Sequence, residues 1–341
     1  MEKNRIVLLL LHFAIILTSC TSNSKTEKYQ DRKNNIVDVH DQVKEILIPE
    51  DKTMIGAINR LFLLDKYLII ADYRSQDMLI CILNKDNNFE HVMNAVPRGQ
   101  GPGEITNMGY IATNEDKREF YLSDHGKLKI FSYKIDSIFS NPLYTPDIKK
   151  EINKIQFPSE YEFVNDTLSF ARIIVPTGNS GYNEFIAKWN MQTDNITPIK
   201  YTHPKIKKKR IALAVSIEND KYIECYHNHD LITILDLNGN LMCNIYGNSW
   251  KNGEQDQLYH FGGVVFCENK IVASYSGGDR LSKDYLPTKF IIFDLEGYYL
   301  KTIETGYHIS DFCYDKENKR LIMSLDDDIQ FAYLDLKELL D

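Results

Sequence analysis

The chain has 341 residues, and its 48 acidic side chains outnumber 40 basic ones for a net charge of −8 at neutral pH. A nucleic-acid binder carries the opposite balance, with basic residues gathered on one face, so no nucleic-acid partner is expected. With 43% apolar residues, 21 Tyr and 16 Phe, the composition suits a globular body built on half-buried sheet surfaces.

The N-terminus reads as targeting before it reads as fold. Lys3 and Arg5 form a basic start, and 7–17 is an apolar run that closes on Leu17-Thr18-Ser19-Cys20. Its length suits a secretory h-region and falls short of the roughly 20 apolar residues a bilayer span needs. The closing tetrapeptide resembles the bacterial lipobox, whose cysteine is diacylated before cleavage. The chain therefore divides into a lipoprotein signal peptide at 1–19, a lipid-anchored flexible tether at 20–39 and a body at 40–341. Cys20 is the expected lipidation site, and several acyl chains on it make the membrane a stable partner. The stretch TSNSKTEKYQDRKNN after Cys20 is almost free of apolar residues, which is the composition of a linker. No acidic residue directly follows Cys20, so the expected location is the outer membrane facing the periplasm, with the cell surface as the alternative.

In the body, one short pattern recurs: an apolar strand, a polar turn, a second apolar strand, then a turn rich in Asp, Asn and Gly. The second strand appears as 79–84, 129–133, 185–190, 232–236, 290–294 and 331–335, and its partner as 67–72, 119–124, 167–171, 221–226, 270–275 and 320–324. Six copies at blade-like spacing predict an all-β, six-bladed β-propeller with four-stranded antiparallel blades. Two copies end in near-identical turns, Asp236-Leu237-Asn238-Gly239-Asn240 and Asp294-Leu295-Glu296-Gly297-Tyr298, where Gly supplies a positive φ. No sustained helical spacing exists; only 336–340 suggests a short terminal turn. The stretch 42–48 is an orphan strand ahead of the first blade. It is expected to close the ring as the outer strand of the last blade, removing a free edge. Cys81, Cys225, Cys243, Cys267 and Cys313 are odd in number, widely spaced and mostly inside apolar runs, which suits buried thiols rather than a disulfide framework.

The segment Gly99-Gln100-Gly101-Pro102-Gly103-Glu104 resembles the G-x-G-P-G-E signature of the TolB-like six-bladed propeller lipoproteins of Bacteroidetes, and 247–254 is a degenerate echo of it. The resemblance spans roughly residues 40–341 and implies a periplasmic or surface propeller, with no assigned reaction for most members.

Chemistry in such a ring belongs to the loops joining the second strand of a blade to the third, and the fourth to the next blade, which emerge together around the axis. These loops supply a candidate binding face of Arg74, Arg98, Glu104, His125, His227, His229, Asp230, Arg280, Asp326 and Asp328. His227-x-His229 followed by Asp230 is the nearest approach to a metal site, but one pair falls short of the three or four ligands zinc takes. The glycine run at 99–103 lacks the Lys-Ser/Thr ending of a phosphate loop. No cofactor and no metal site are expected, and no catalytic set is complete. The function this supports is an envelope lipoprotein that binds or scaffolds a protein or glycan partner. The alternative is a Ca²⁺-assisted hydrolase or lyase in the axial mouth, for which Asn59, Asn107 and Asn153, near the starts of three inner strands, are the candidate oxygens.

Overall fold

The computed structural model describes residues 23–178, 181–254, 257–282 and 285–340. The 7–17 run and Cys20 lie outside them.

Three short strands come first: β1 (Glu27–Tyr29), β2 (Ile36–Asp38) and β3 (Lys44–Glu45). The blades follow in chain order. Blade 1 is β4 (Asn59–Leu64), β5 (Tyr67–Asp72), β6 (Met78–Asn84) and β7 (Glu90–Pro97). Blade 2 is β8 (Met108–Asn114), β9 (Glu119–Asp124), β10 (Lys129–Lys134) and β11 (Asp147–Glu151). Blade 3 is β12 (Phe157–Asn165), β13 (Leu168–Gly178), β14 (Gly181–Trp189) and β15 (Ile196–Pro198). Blade 4 is β16 (Ile211–Ser216), β17 (Lys221–Tyr226), β18 (Leu231–Asp236) and β19 (Leu241–Tyr246). Blade 5 is β20 (Leu258–Cys267), β21 (Lys270–Asp279), β22 (Lys289–Asp294) and β23 (Tyr299–Glu304), and blade 6 is β24 (Ile309–Asp315), β25 (Arg320–Leu325) and β26 (Phe331–Asp335). The molecule is a six-bladed β-propeller, each blade an antiparallel meander.

The ring closes as the orphan strand suggests. In blade 6, β3 pairs antiparallel with β26, Glu45 opposite Ala332 and Lys44 opposite Tyr333, and the Ile46 N–H reaches the Phe331 carbonyl at 2.8 Å. The two ends of the body thus share one sheet, and β24 of blade 6 packs on β4 of blade 1.

The middle strands of each blade are continuous apolar runs because both their faces are buried. In β5, Leu68 and Ile70 enter the core shared with blade 6, while Ile69 and Ala71 enter the core shared with blade 2. The same alternation fills every gap between blades with its own apolar layer. The two repeated turns behave as their glycines imply: φ is +82° at Gly239 and +86° at Gly297, and Asp236 and Asp294 accept the turn N–H groups.

Two sequence expectations are corrected. The tether was expected to stay free of the ring. Instead β1 adds as a parallel fifth strand to β19 of blade 4 and β2 as a parallel fifth strand to β23 of blade 5. The segment has little apolar content to bury, but a sheet edge offers unpaired backbone groups, and main-chain hydrogen bonding does not need apolar side chains. Side chains then lock it down. Tyr29 stacks on Tyr246 at 4.6 Å, and Lys28 Nζ sits 3.5 Å over the Tyr298 ring. Between the two strands Arg32 enters the ring and pairs with Asp230, with side chains only 7% and 2% exposed. The second correction is a helix, α1 (Ile135–Ser140), in the connection between β10 and β11. Its buried Ile135 and Ile138 make a single i, i+3 pair, too short a run to register as periodicity.

Candidate functional site

The six inner strands β4, β8, β12, β16, β20 and β24 line the axis. Four of them, β8, β12, β20 and β24, have an irregular register near the end where the loops between second and third strands emerge. Such bulges rotate a side chain off the regular alternation. Here they lie beside Tyr110, Glu160, Tyr259 and Ser310, all of which line the channel.

The channel is two connected chambers. The outer one, at this mouth, has a volume of about 690 Å³ and is walled by Asn59, Tyr73, Gly109, His125, Tyr285 and Asp326 among others. The inner one, about 560 Å³, is walled by Glu160, Glu162, His227, Gly262, Gly263 and Asp311. Arg60, Tyr110, Arg172, Tyr259 and Ser310 border both.

A charged belt crosses the channel where the chambers meet. Glu160 of blade 3 pairs with Arg60 of blade 1 across the axis and with Arg172 on its own blade, the latter at 2.6 Å. The two guanidinium groups hold the Glu160 carboxyl below the usual range although burial opposes them. Arg172 is fully engaged, reaching also Ser159 Oγ and the Ile211 carbonyl, each at 3.3 Å. Below the belt, burial and the Glu160 charge push Glu162 up to about 7, and burial pushes Asp311 up to about 6. Asp311 also accepts the Leu61 N–H at 2.7 Å, which joins blade 6 to blade 1. Glycines make room for rings beside the channel. A Cβ at Gly109 would crowd His125, and one at Gly263 would meet Phe312.

The sequence-derived binding face divides in two. His125 and Asp326 line the outer chamber and His227 the inner one. His227 Nδ1 lies 2.6 Å from the Phe261 carbonyl and its ring stacks on Tyr259; burial lowers its pKa, as it does that of His125. The rest do not border the channel. Arg98 donates to the Ser75 and Tyr73 carbonyls at 2.6 and 2.9 Å and so pins the loop of blade 1 that carries Arg74, itself exposed. Glu104 accepts the Gly101 N–H at 2.7 Å and fills the space that Gly99 leaves open, so the G-x-G-P-G-E segment is a loop staple. Arg280 donates to Asn228 at 2.8 Å, and Asp328 is exposed on the last blade.

His227, His229 and Asp230 diverge. His229 packs edge-on against Trp250 and Tyr226, and Asp230 faces Arg32, so the triplet presents no common point to an ion. Among the described residues no group of three or more His, Cys, Asp or Glu is arranged to hold a metal. The three asparagines diverge as well. Asn59 lines the mouth, the Asn107 carbonyl accepts the His125 N–H at 2.9 Å, and Asn153 caps the Ile155 N–H in a separate cleft. Cys81, Cys225, Cys243 and Cys267 are free and buried, and Cys313 half-buried, with burial raising each thiol.

The belt residues Arg60, Glu160, Glu162, Arg172 and Asp311 escaped the loop-based reading because they sit within strands. For Glu162 and Arg172 the signal is a charge flanked by apolar neighbours, Tyr161-Glu162-Phe163 and Ala171-Arg172-Ile173; Arg60, Glu160 and Asp311 follow a polar residue and carry no such mark.

The fold and the axial channel define a six-bladed propeller with a polar, tyrosine-walled mouth. Comparison with known proteins agrees at that level. Residues 26–172 match the family described as 6-bladed beta-propeller, DUF5128. Among curated proteins none matches. The chain is similar in structure to a DUF4221 family member from Bacteroides vulgatus, with a TM-score of 0.58, 10% identity, and 86% of this chain and 94% of that one covered. It is similar to an exported protein of Bacteroides fragilis, with a TM-score of 0.54, 10% identity, and 90% and 98% covered. A third neighbour is the calcium-binding protein regucalcin of Agrobacterium tumefaciens, with a TM-score of 0.55, 9% identity, and 88% and 95% covered. Identities this low speak for the fold alone.

Proposed function

We propose that this chain is a lipid-anchored propeller of the bacterial envelope that binds a glycan or protein partner at its axial mouth. The observation that carries the binding role is the outer chamber itself. It is open, its volume lies within the ordinary range of ligand sites, and tyrosines and a few convergent polar groups wall it. Glu160 is paired with Arg60 and Arg172, and His227 Nδ1 is taken up by the Phe261 carbonyl. The envelope assignment rests on the basic start, the apolar run and Cys20 of the lipobox, and on the likeness to TolB-like propeller lipoproteins. No helix among the described residues is long and apolar enough to cross a membrane.

The test uses the full chain expressed with its signal. A photo-reactive amino acid at Tyr285 should cross-link an envelope component, while the same probe at Tyr298, on the far side of blade 5, should not. In parallel, Cys20→Ala should abolish radiolabelled palmitate incorporation and move the protein to the soluble fraction. Equal membrane association with and without Cys20 would overturn the anchor. Turnover of a small molecule with no retained partner would overturn the binding role.

A further inference from the structure

We propose that the outer chamber is a subsite for a neutral sugar unit, recognised through its hydroxyl groups. This rests on the reading of the propeller as a binding module and names the ligand class. Two polar atoms carry it. Asn59 is only 6% exposed, and its Nδ2 donates to the Gly56 carbonyl at 2.9 Å. That bond orients the amide, and Oδ1 has no hydrogen-bond partner among the described residues although the residue lines the mouth. His125 Nε2, on the same chamber, is also buried without a partner. A buried polar atom without a partner is unfavourable, so each favours a ligand group that can pair with it.

The demands select the chemistry. An amide oxygen can only accept, so Asn59 needs a donor, and a carboxylate, sulfate or fully ionised phosphate has none to offer. Arg60 makes the opposite demand. It is 41% exposed, one of its Nη atoms is committed to Glu160, and the guanidinium faces the chamber with the Tyr110 ring 5.7 Å away. It needs an acceptor. One ligand must therefore donate and accept within the same small space, as a hydroxyl does. Charge points the same way. Arg60 and Arg172 face Glu160, Glu162 and Asp311, and Asp326 stands at the mouth, so the channel offers an anion no net attraction. Tyr73 and Tyr285 add apolar ring surface of the kind on which the C–H face of a sugar rests, each with a hydroxyl at its tip.

Calorimetric titration of the folded full chain in detergent tests this, with glucose and galactose as neutral probes and glucuronate and galacturonate as their acidic counterparts. At least one neutral probe should bind, and its uronate counterpart should bind more weakly. Asn59→Leu and Arg60→Met should each weaken the neutral probe about tenfold, the value of one well-made hydrogen bond. Asp328→Ala, exposed on the last blade, should leave it unchanged. Should either mouth variant unfold, Tyr285→Ala, on an exposed loop, supplies a second measurement with the same expected loss. Tighter binding of a uronate, equal binding to the Asn59 and Arg60 variants, or no saccharide bound by a chain that still cross-links a protein through position 285 would overturn the sugar assignment. The last outcome would leave the binding module standing, whereas loss of all cross-linking would remove the module as well.

Discussion

Replacing Arg32 by Ala should destabilise the ring by about 3 kcal/mol, the lower end of the cost of removing one partner from a buried ion pair. The size follows from what is left behind. The Asp230 side chain is 2% exposed, and without Arg32 its carboxylate keeps the Ser249 N–H at 3.1 Å and the Tyr275 hydroxyl at 3.3 Å. Both are long for bonds to a charged acceptor, so they offset little of its desolvation. The guanidinium also lies 5.2 Å from the Tyr275 ring centre, an attraction of about 1 kcal/mol that disappears with it. Urea unfolding followed through Trp189 and Trp250 gives the stability, and Trp250 sits against Tyr246 at the strap itself. The midpoint should fall. Hydrogen exchange should show lost protection at the Gln30 amide, which bonds the Tyr246 carbonyl at 3.0 Å. Adding Asp230→Asn should recover part of the loss by removing the stranded charge. A variant within about 0.5 kcal/mol of the parent, with Gln30 still protected, would refute the account, since that is the range of an ordinary surface substitution.

Three further outcomes follow from the same geometry. Glu162 holds its proton more tightly folded than unfolded, so stability should fall as pH rises from about 4.5 to about 7, by at most about 3 kcal/mol, and level off above. Glu162→Gln should flatten that part of the profile in urea midpoints taken across the range, and an unchanged slope would show a solvated carboxyl. Gly247→Ala places a Cβ on the space held by Arg32 Nη2 and Asp230 Oδ2, so it should expel the strap and match Arg32→Ala in midpoint and exchange. The four buried thiols Cys81, Cys225, Cys243 and Cys267 should resist iodoacetamide in the folded Cys20→Ala chain and react together on unfolding, as mass spectrometry would show; rapid native labelling of Cys225 or Cys267 would contradict their burial.

The ring was legible from the amino-acid order because a propeller repeats a local event. Each blade needs two adjacent apolar strands and a glycine- or asparagine-bearing turn, and segments such as 67–72 with 79–84 carry that signal within twenty residues. Ring closure by 42–48 could be read for the same reason: an apolar strand without a neighbour pairs with a blade lacking one. What the order of residues could not settle is where side chains from distant blades meet. His125, His227 and Asp326 were found because they stand in loops that topology sends to the mouth. Arg60, Glu160 and Asp311 were not, although they stand in blades 1, 3 and 6 and converge across the axis. The tether shows the same boundary from the other side. Its composition excludes a core and so read as a free linker, yet β1 and β2 are held by the unpaired edges of β19 and β23 and by contacts such as the Arg32–Asp230 pair. A strand's tendency to form lies in its own residues, but a docking edge and a buried counter-charge 198 positions away belong to the assembled ring alone.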